Sequence, residues 1–544
     1  MVSDKEKNNA VLPFRIENNI MKGKVVPFKS QYTSVGKLMY DSMKNNFNLV
    51  GQVCTITDVE DTFGEILDRS IKCALWMKKQ GVGNNDIVVI SSHNHRDSFI
   101  PGIAALFIGA VCNPWPSDMN TQVARHFMSM MQPKLIFACE KSVPVILDAA
   151  KIEGHNPKVV TFGDYLGTTP FSETLKGHTK LAISNFKCSD IDDTEQSAVI
   201  LFSSGTTGLP KGVQLPHRAL LNIMEVDEGL AVASHVLMWL TSLYWLTGTL
   251  LSIKHIVGGA KKVISPEFDE ETVCRHFEKY KVSWTMLSTS MANRLARFSR
   301  LHEYDLSSLK ILCTGGSAMG KEAEILLRKA FPTTKVIQGY GMTELGNLIS
   351  AQDVDSTPGS CGLATINTEI KIIDPETGKT LGPNQSGEVC IKNLSMTSGY
   401  YKNPEATKNA IDEDGWLHSG DLGCFNEKGE LFIIDRLKEL IKFQGYHVIP
   451  TEIESLLQSH PAVLEVAVVS IPHPIDCEHP VAFVSKIPNK EVTEEELKKL
   501  VANNLMDYCK LRGGVKFMPS LPHTASGKVA RKELKAIAKT MAVN

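Results

Sequence analysis

The segment Ser203-Ser204-Gly205-Thr206-Thr207-Gly208 lies between the apolar run Ala198-Val199-Ile200-Leu201-Phe202 and Pro210-Lys211-Gly212-Val213. Small residues let backbone N–H groups close on an anion, the hydroxyls add donors, and Lys211 supplies a point charge, a combination that suits a polyphosphate. A plain flexible loop is the alternative, but its place between a buried-type strand and Pro-Lys-Gly speaks for phosphate. The spacing G-x-x-x-x-G-K-[ST] is absent there. Gly315-Gly316-Ser317-Ala318-Met319-Gly320-Lys321 follows that spacing until Glu322, which stands where Ser or Thr would hold Mg²⁺. It is therefore no P-loop, although a double glycine after the strand-like Lys310–Cys313 suits a wall against a flat ligand. Gln338-Gly339-Tyr340-Gly341-Met342-Thr343-Glu344 sets a ring that can stack on a base near a hydroxyl and a carboxylate for phosphate and Mg²⁺. Gly415-Trp416-Leu417-His418-Ser419-Gly420-Asp421 is a turn ending in a carboxylate, an acceptor for paired ribose hydroxyls.

These residues need a scaffold that brings distant segments together. Apolar β-rich runs precede helical patterns at Ile87–Ser91 and Pro101–Ala110, Leu135–Ala138 and Val143–Ala149, and Val263–Ser265 and Glu270–Tyr280. Such alternation predicts an α/β fold with parallel sheets covered by helices. After about Ser350 the character changes: Glu369–Ile373, Gly387–Ile391 and Leu431–Asp435 are short β runs between turns, which predicts a β-rich subdomain. Helix, strand, strand, helix follow at Thr451–Ser459, Leu464–Ser470, Val481–Ser485 and Thr493–Leu505, the size of a small α+β domain. We therefore expect a large domain over 1–435, with subdomains about 1–200, 201–350 and 351–435, and a second domain over 436–544.

The chain has 544 residues, 43% hydrophobic and 22% charged, the composition of a globular protein of several domains. With 58 Lys and Arg against 60 Asp and Glu, it is neither a globally basic nucleic-acid binder nor a strongly acidic protein. Its 12 cysteines include no C-x-x-C pair, which argues for reduced thiols over disulfides or zinc. His473, Cys477 and His479 match no common zinc spacing and read as surface-loop residues. Gly229 to Ile253 runs 25 residues without Asp, Glu, Lys or Arg. Ser234, His235, Thr241, Ser242, Thr247, Thr249 and Ser252 interrupt it, so it is expected to be buried core (a strand near Val236–Leu240, then a helix from Thr249) and not a membrane span. The polar start and the absence of a terminal S-K-L suggest an intracellular, cytoplasmic protein.

Taken with Ser526-Gly527-Lys528 and Tyr400-Tyr401-Lys402-Asn403-Pro404-Glu405-Ala406-Thr407, these segments resemble the adenylate-forming superfamily of acyl-CoA synthetases, 4-coumarate:CoA ligases and beetle luciferases, over essentially the whole length. The resemblance implies that a carboxylic acid attacks the α-phosphate of ATP, that pyrophosphate leaves, and that a thiol, usually that of CoA, then displaces AMP from the acyl-adenylate. It implies roles for residues as well. Ser203, Ser204, Thr206, Thr207 and Lys211, with Gly205 and Gly208 among them, would cradle the β- and γ-phosphates. Thr343 would touch phosphate and Glu344 would bind Mg²⁺. Gly339, Tyr340 and Gly341 would line the adenine and acyl sites, Asp421 would hold the ribose with Arg436 in support, and Lys528 would bridge the acid and the α-phosphate. The acyl pocket would be lined by Tyr244, Trp245, Thr247, Gly248, Gly315, Gly316 and Ser317. In the family the small domain swings about a hinge, here Asp435. That motion would present Lys528 for the first half-reaction and the loop with Lys442, Gly445 and Tyr446 to CoA for the second.

Two departures bear on the substrate. Trp245 occupies a position where beetle luciferases and many relatives have His, and Ile223 stands five residues beyond Pro216-His217-Arg218, where beetle luciferases carry an Arg that helps hold luciferin. An apolar residue there suits a fatty or neutral aryl acid better than an anionic heterocycle. The expected activity is acyl-CoA synthesis from a small-molecule acid, without nucleic acid or membrane partners. A luciferase of non-beetle type, which would also consume O₂, is the alternative. A retired enzyme that only binds nucleotide would be expected to have lost Lys211, Glu344, Asp421 or Lys528, and all four are present.

Overall fold

The computed structural model describes residues 14–203, 209–226, 235–317, 319–523 and 528–541. They form a mixed α/β protein of four sheets. A seven-stranded sheet has the spatial order Lys211–Pro216, Ser197–Ser203, Val111–Trp115, Ile87–Ser91, Leu135–Ala138, Lys158–Thr161, Thr169–Pro170. Its inner strands are wholly buried, as Ile-Val-Val-Ile-Ser at 87–91 and Leu-Ile-Phe-Ala at 135–138 require, because helices cover both faces of a parallel sheet. A nine-stranded sheet runs Leu363–Ala364, Asn347–Ala351, Lys335–Met342, Ile311–Gly315, Trp284–Ser288, Val236–Trp239, Lys261–Ile264, Val50–Cys54, Glu60–Thr62.

The third sheet is antiparallel throughout, in the order Arg15–Glu17, Ile20–Lys22, Thr368–Ile373, Gly387–Asn393, Leu417–Phe425, Leu431–Arg436. The fourth has five strands built from Ile441 to Phe517 around a long hairpin, Val463–His473 with Cys477–Lys486. The helices begin where the side chains supply donors' partners. Thr62 with Glu65, and Thr493 with Glu496, form reciprocal capping boxes, and Asp269 caps the helix Glu270–Tyr280.

The sheets do not follow the contiguous subdomain cuts expected from sequence. The cut near 200 falls inside the strand Ser197–Ser203, which pairs with both Val111–Trp115 and Lys211–Pro216. Val50–Cys54 is lent to the second sheet beside Lys261–Ile264, and Ile20–Lys22 to the third. Pairing of this kind is decided by which apolar edges fit in space, and nothing local in sequence marks it. The apolar stretch in question resolves into the strand Val236–Trp239 and the helix Leu246–Val257, and no described helix is long and apolar enough to cross a membrane.

Candidate active site

The strands of the first two sheets end toward a common cleft, and the third sheet brings a carboxylate to it. Strand Ser197–Ser203 is pinned by Phe202, whose ring stacks on Phe127 at 3.7 Å, so Ser203 is delivered from a rigid element. Ser204, Gly205, Thr206, Thr207 and Gly208 lie outside the described residues. Lys211 resumes the chain on the facing strand, paired with Ser203, and its ammonium lies 4.9 Å from the centre of the Tyr400 ring.

Tyr400 was not singled out as a site residue by sequence, yet it organises this corner. Its hydroxyl donates to Glu344 Oε1 at 2.9 Å, and Ser203 also bonds to it. Burial, with Glu344 beside it, holds the phenol far above its ordinary range. Glu344 is only 6% exposed, on a single 3₁₀ turn, Thr343–Leu345, that follows the strand Lys335–Met342. A carboxylate so enclosed, with one oxygen engaged and a lysine and hydroxyls nearby, fits a divalent cation bridging to phosphate. The signal was the second aromatic in Gly399-Tyr400-Tyr401, which has no local reason to be half-buried.

A second corner forms around Asp421. Its Oδ2 accepts the Tyr340 hydroxyl at 2.5 Å and its Oδ1 lies 3.3 Å from Arg436 Nε. Desolvation pushes the Asp421 carboxyl up, while Arg436 and Tyr340 pull it back. Burial, together with Asp421, raises Tyr340 well above the usual phenol range. Tyr340 thus orients the carboxylate through its hydroxyl, a role beyond the base stacking expected from its type. Asp421 is also set by its own turn: Ser419 Oγ accepts its backbone N–H, and the Gly420 N–H is held by Glu388 Oε1. His418 Nδ1 lies 2.9 Å from Glu388 Oε2, so His418 and Glu388 brace this loop from behind. Gly341 permits the close approach of the neighbouring strand, since a Cβ there would sit 2.6 Å from Asn347 O.

Between the corners comes the lysine of the small domain. Lys528 Nζ is 5.9 Å from the Trp245 ring centre, and its Cε would be 3.0 Å from any Cβ at Gly316, which has φ 91°. Glycine is required at 316 both for that angle and for that space. Desolvation and the positive charge of Arg436 bring the Lys528 amine down to about 8, against a smaller pull upward from Asp421. Residues 524–527 of its loop lie outside the described residues. Trp245 caps the helix Leu246–Val257, packs edge-on against Tyr244 at 4.9 Å, and has a buried Nε1–H with no partner among the described residues. Gly248 passes so near Ser242 that a Cβ would lie 2.0 Å from its carbonyl oxygen, which fixes the turn carrying Tyr244, Trp245 and Thr247. Gly315 pairs with Gly339 across adjacent strands, and Ser317 O accepts the Thr289 hydroxyl.

The structure does not bring every expected residue together. Lys442, Gly445 and Tyr446 are exposed; Gly445 meets nothing within 4 Å of a notional Cβ, and Tyr446 stacks on Tyr508 at 4.9 Å. The molecule is therefore arranged with Lys528, and not Lys442, at the cleft. Asp435 joins the domains: its Oδ1 accepts the Arg436 N–H at 2.7 Å, and its Oδ2 accepts from Thr451 N and Oγ1 at 3.1 and 2.8 Å. Ser290 Oγ donates to Glu465 across the same junction.

A cleft that offers ribose, phosphate and metal contacts on a large domain, with a lysine delivered by a small one, defines a nucleotide-dependent enzyme that forms adenylates. The profile described as AMP-binding enzyme matches residues 51–401, and that of the AMP-binding enzyme C-terminal domain matches 452–528. The chain belongs to the AMP-binding, adenylate-forming enzyme family. It is 32% identical over 534 residues to luciferin 4-monooxygenase of Photinus pyralis, covering 95% of this chain and 97% of that one. It is 34% identical over 511 residues to 4-coumarate–CoA ligase 1 of Arabidopsis thaliana, covering 89% and 88%. Among solved structures, the luciferase-like enzyme of the nonluminescent Zophobas morio mealworm superposes with a TM-score of 0.73 at 30% identity, over 77% of this chain and 99% of that one. An anthranilate CoA ligase in complex with anthranoyl-AMP reaches 0.86 at 21% identity over 95% and 99%, a likeness of fold.

Proposed function

We propose that the protein activates a fatty or aryl carboxylic acid with ATP to an acyl-adenylate and passes the acyl group to CoA. The observation that carries this reading is Lys528, held against Trp245 and Gly316 and within the fields of Asp421 and Arg436. An ammonium there neutralises charge that builds on the α-phosphate as the carboxylate attacks, and pre-placed donors of this kind account for roughly 10²–10³ in rate when removed singly. Asp421 accepts the ribose hydroxyls, with its orientation set by Tyr340 and Arg436. Glu344 with Tyr400 would hold Mg²⁺, which supplies charge balance for the departing pyrophosphate. Ser203 and Lys211 bind its outer phosphates. Rotation about Asp435 would then withdraw Lys528 and bring Lys442 and Gly445 to the adenylate, Gly445 leaving room for the pantetheine thiol.

Acid-dependent exchange of labelled pyrophosphate into ATP, followed by CoA-dependent release of AMP, tests both halves over a panel of acids. Exchange with no acid of the panel would sink the reading. The luciferin 4-monooxygenases among the relatives favour a second reading, oxidation of an adenylated luciferin by O₂. Light on mixing ATP with candidate luciferins, without acyl-CoA formation, would establish it instead.

A further inference from the structure

The hairpin of the small domain turns over Pro474 and Ile475, and its folding gathers residues that sequence spacing left as unrelated surface groups. His473 Nδ1 lies 3.2 Å and His479 Nε2 lies 2.7 Å from the same oxygen, Asp476 Oδ2. The two imidazoles stack at 3.9 Å with 19° between their planes, so both present an edge to that oxygen. The potential ligand atoms all fall within 4.8 Å of one another. The Asp476 backbone N–H donates to His473 Nδ1 at 3.1 Å, which keeps that nitrogen free of a proton. The side chains are 33%, 15% and 15% exposed, open enough for an ion to enter from solvent. Two imidazole nitrogens and a carboxylate are a donor set for zinc and its neighbours, and a poor one for Mg²⁺ or Ca²⁺.

The cluster is also wired to the turn expected to meet CoA. Gln444, at φ 47°, donates its side-chain amide to Asp476 Oδ1 at 2.6 Å and its backbone N–H to Asp476 O at 3.1 Å. Lys442 N–H is held by Glu478 Oε2 at 2.9 Å, and the Phe443 ring lies 5.8 Å from that of His479. The turn Phe443–Tyr446 therefore rests on the residues that would ligate an ion. Outer partners of ligating carboxylates set their orientation, and the coupling runs in both directions.

We propose that His473, Asp476 and His479 form a binding site for a divalent transition-metal ion, and that filling it stiffens the Phe443–Tyr446 turn and slows the thiol half-reaction while leaving adenylate formation unchanged. The kinetic half of this proposal rests on the assignment of that turn to the CoA step, whereas the binding half does not.

The test begins with the full chain and metal alone. Titration with Zn²⁺ by calorimetry, and with Co²⁺ by its visible d–d bands, is expected to show one ion per chain, with at least tenfold weaker binding in H473A and H479A. Unchanged affinity in both variants overturns the site. So does loss of binding in C477S with retention in H479A, because Cys477 is the exposed thiol among the described residues and would then be the ligand. With Zn²⁺ present, thioester formation from a supplied acyl-adenylate should fall several-fold in the wild type and not in H479A, while pyrophosphate exchange stays level. Equal slowing of both half-reactions overturns the coupling. Failure of exchange without any metal would count against the proposed activity and not against the site.

Discussion

Raising the pH through 8 should silence adenylate formation before it affects the thiol step. Lys528 is brought down to about 8 by desolvation and by Arg436, from an ordinary lysine range more than two units higher. The charged form is the useful one, so the sign is fixed: activity is present below 8 and is lost as pH climbs through it. A single group titrating at 8 is about 90% protonated at pH 7 and about 10% at pH 9, so kcat/KM for ATP in pyrophosphate exchange should drop roughly tenfold over that interval. The ratio kcat/KM is the quantity to measure because it reports groups of the free enzyme, whereas bound phosphates would hold the lysine charged and move the break in kcat upward. K528R, whose guanidinium stays charged, should be slower at pH 7 because the shape of the donor differs, but level to pH 9. K528A should lose about 10²–10³ of exchange and keep thioester formation from a supplied acyl-adenylate. A wild-type profile level from pH 7 to 9.5, or one that K528R reproduces, would refute the argument.

Other outcomes follow from the same geometry. Y400F removes the hydroxyl that holds Glu344 Oε1, so the Mg²⁺ concentration for half-maximal exchange should rise about tenfold, in keeping with roughly 1–1.5 kcal/mol for such a bond. W245F deletes a buried N–H without a partner among the described residues, so the ligand-free protein should become more stable by about 1 kcal/mol in urea melts while KM for the acid rises; an unchanged KM would show that the indole does not reach the acid. Lys262 is 4% exposed with its ammonium 4.4 Å from the Trp239 ring, and burial lowers it to about 7. Because the unfolded chain binds its proton more tightly, folding stability should rise with pH from 7 toward the ordinary lysine range, and K262M should be stabilised most below pH 7 and show no such slope. Asp61 is fully buried and pulled well below the carboxylate range, against desolvation, by Arg96 and Arg69, so D61N should be destabilised by about 3–5 kcal/mol at neutral pH, measured by denaturant unfolding. That difference should narrow in acid, as the wild-type carboxylate protonates.

The site was legible in sequence where a role is carried by a short contiguous segment. Ser203 and Lys211 pair across one hairpin, and Thr343 and Glu344 follow one strand, so motif and geometry coincide. Lys528 also reaches the cleft, which its motif implied through resemblance and no local pattern could have shown. What was not legible depends on contacts between distant segments. Tyr400 meets Glu344 and Tyr340 meets Asp421 only after the second and third sheets pack, and the hydroxyls leave no trace in periodicity. The cluster of His473, Asp476 and His479 fails every spacing rule because its ligands lie on both sides of a hairpin turn, where register and not sequence distance decides proximity. The hairpin Arg15–Lys22 did carry a local sign, Asn18-Asn19, both at positive φ as a tight two-residue turn demands, but its partner strand could not be foreseen.

That hairpin has a consequence for how the molecule is assembled. Ile20–Lys22 seals the flank of Thr368–Ile373, in the sheet that presents Asp421 and Arg436, so the earliest strand to leave a ribosome waits for its mate until most of the chain has been made. In that interval it is a short unpaired edge, and the later strand is born beside a template already in place. Fusions or trims that occupy residues 14–25 would leave the outer edge of Thr368–Ile373 bare, inviting another chain to pair there. Poor yield of such variants would then reflect strands joining between molecules during synthesis, while the chemistry of any molecule that did close would be intact.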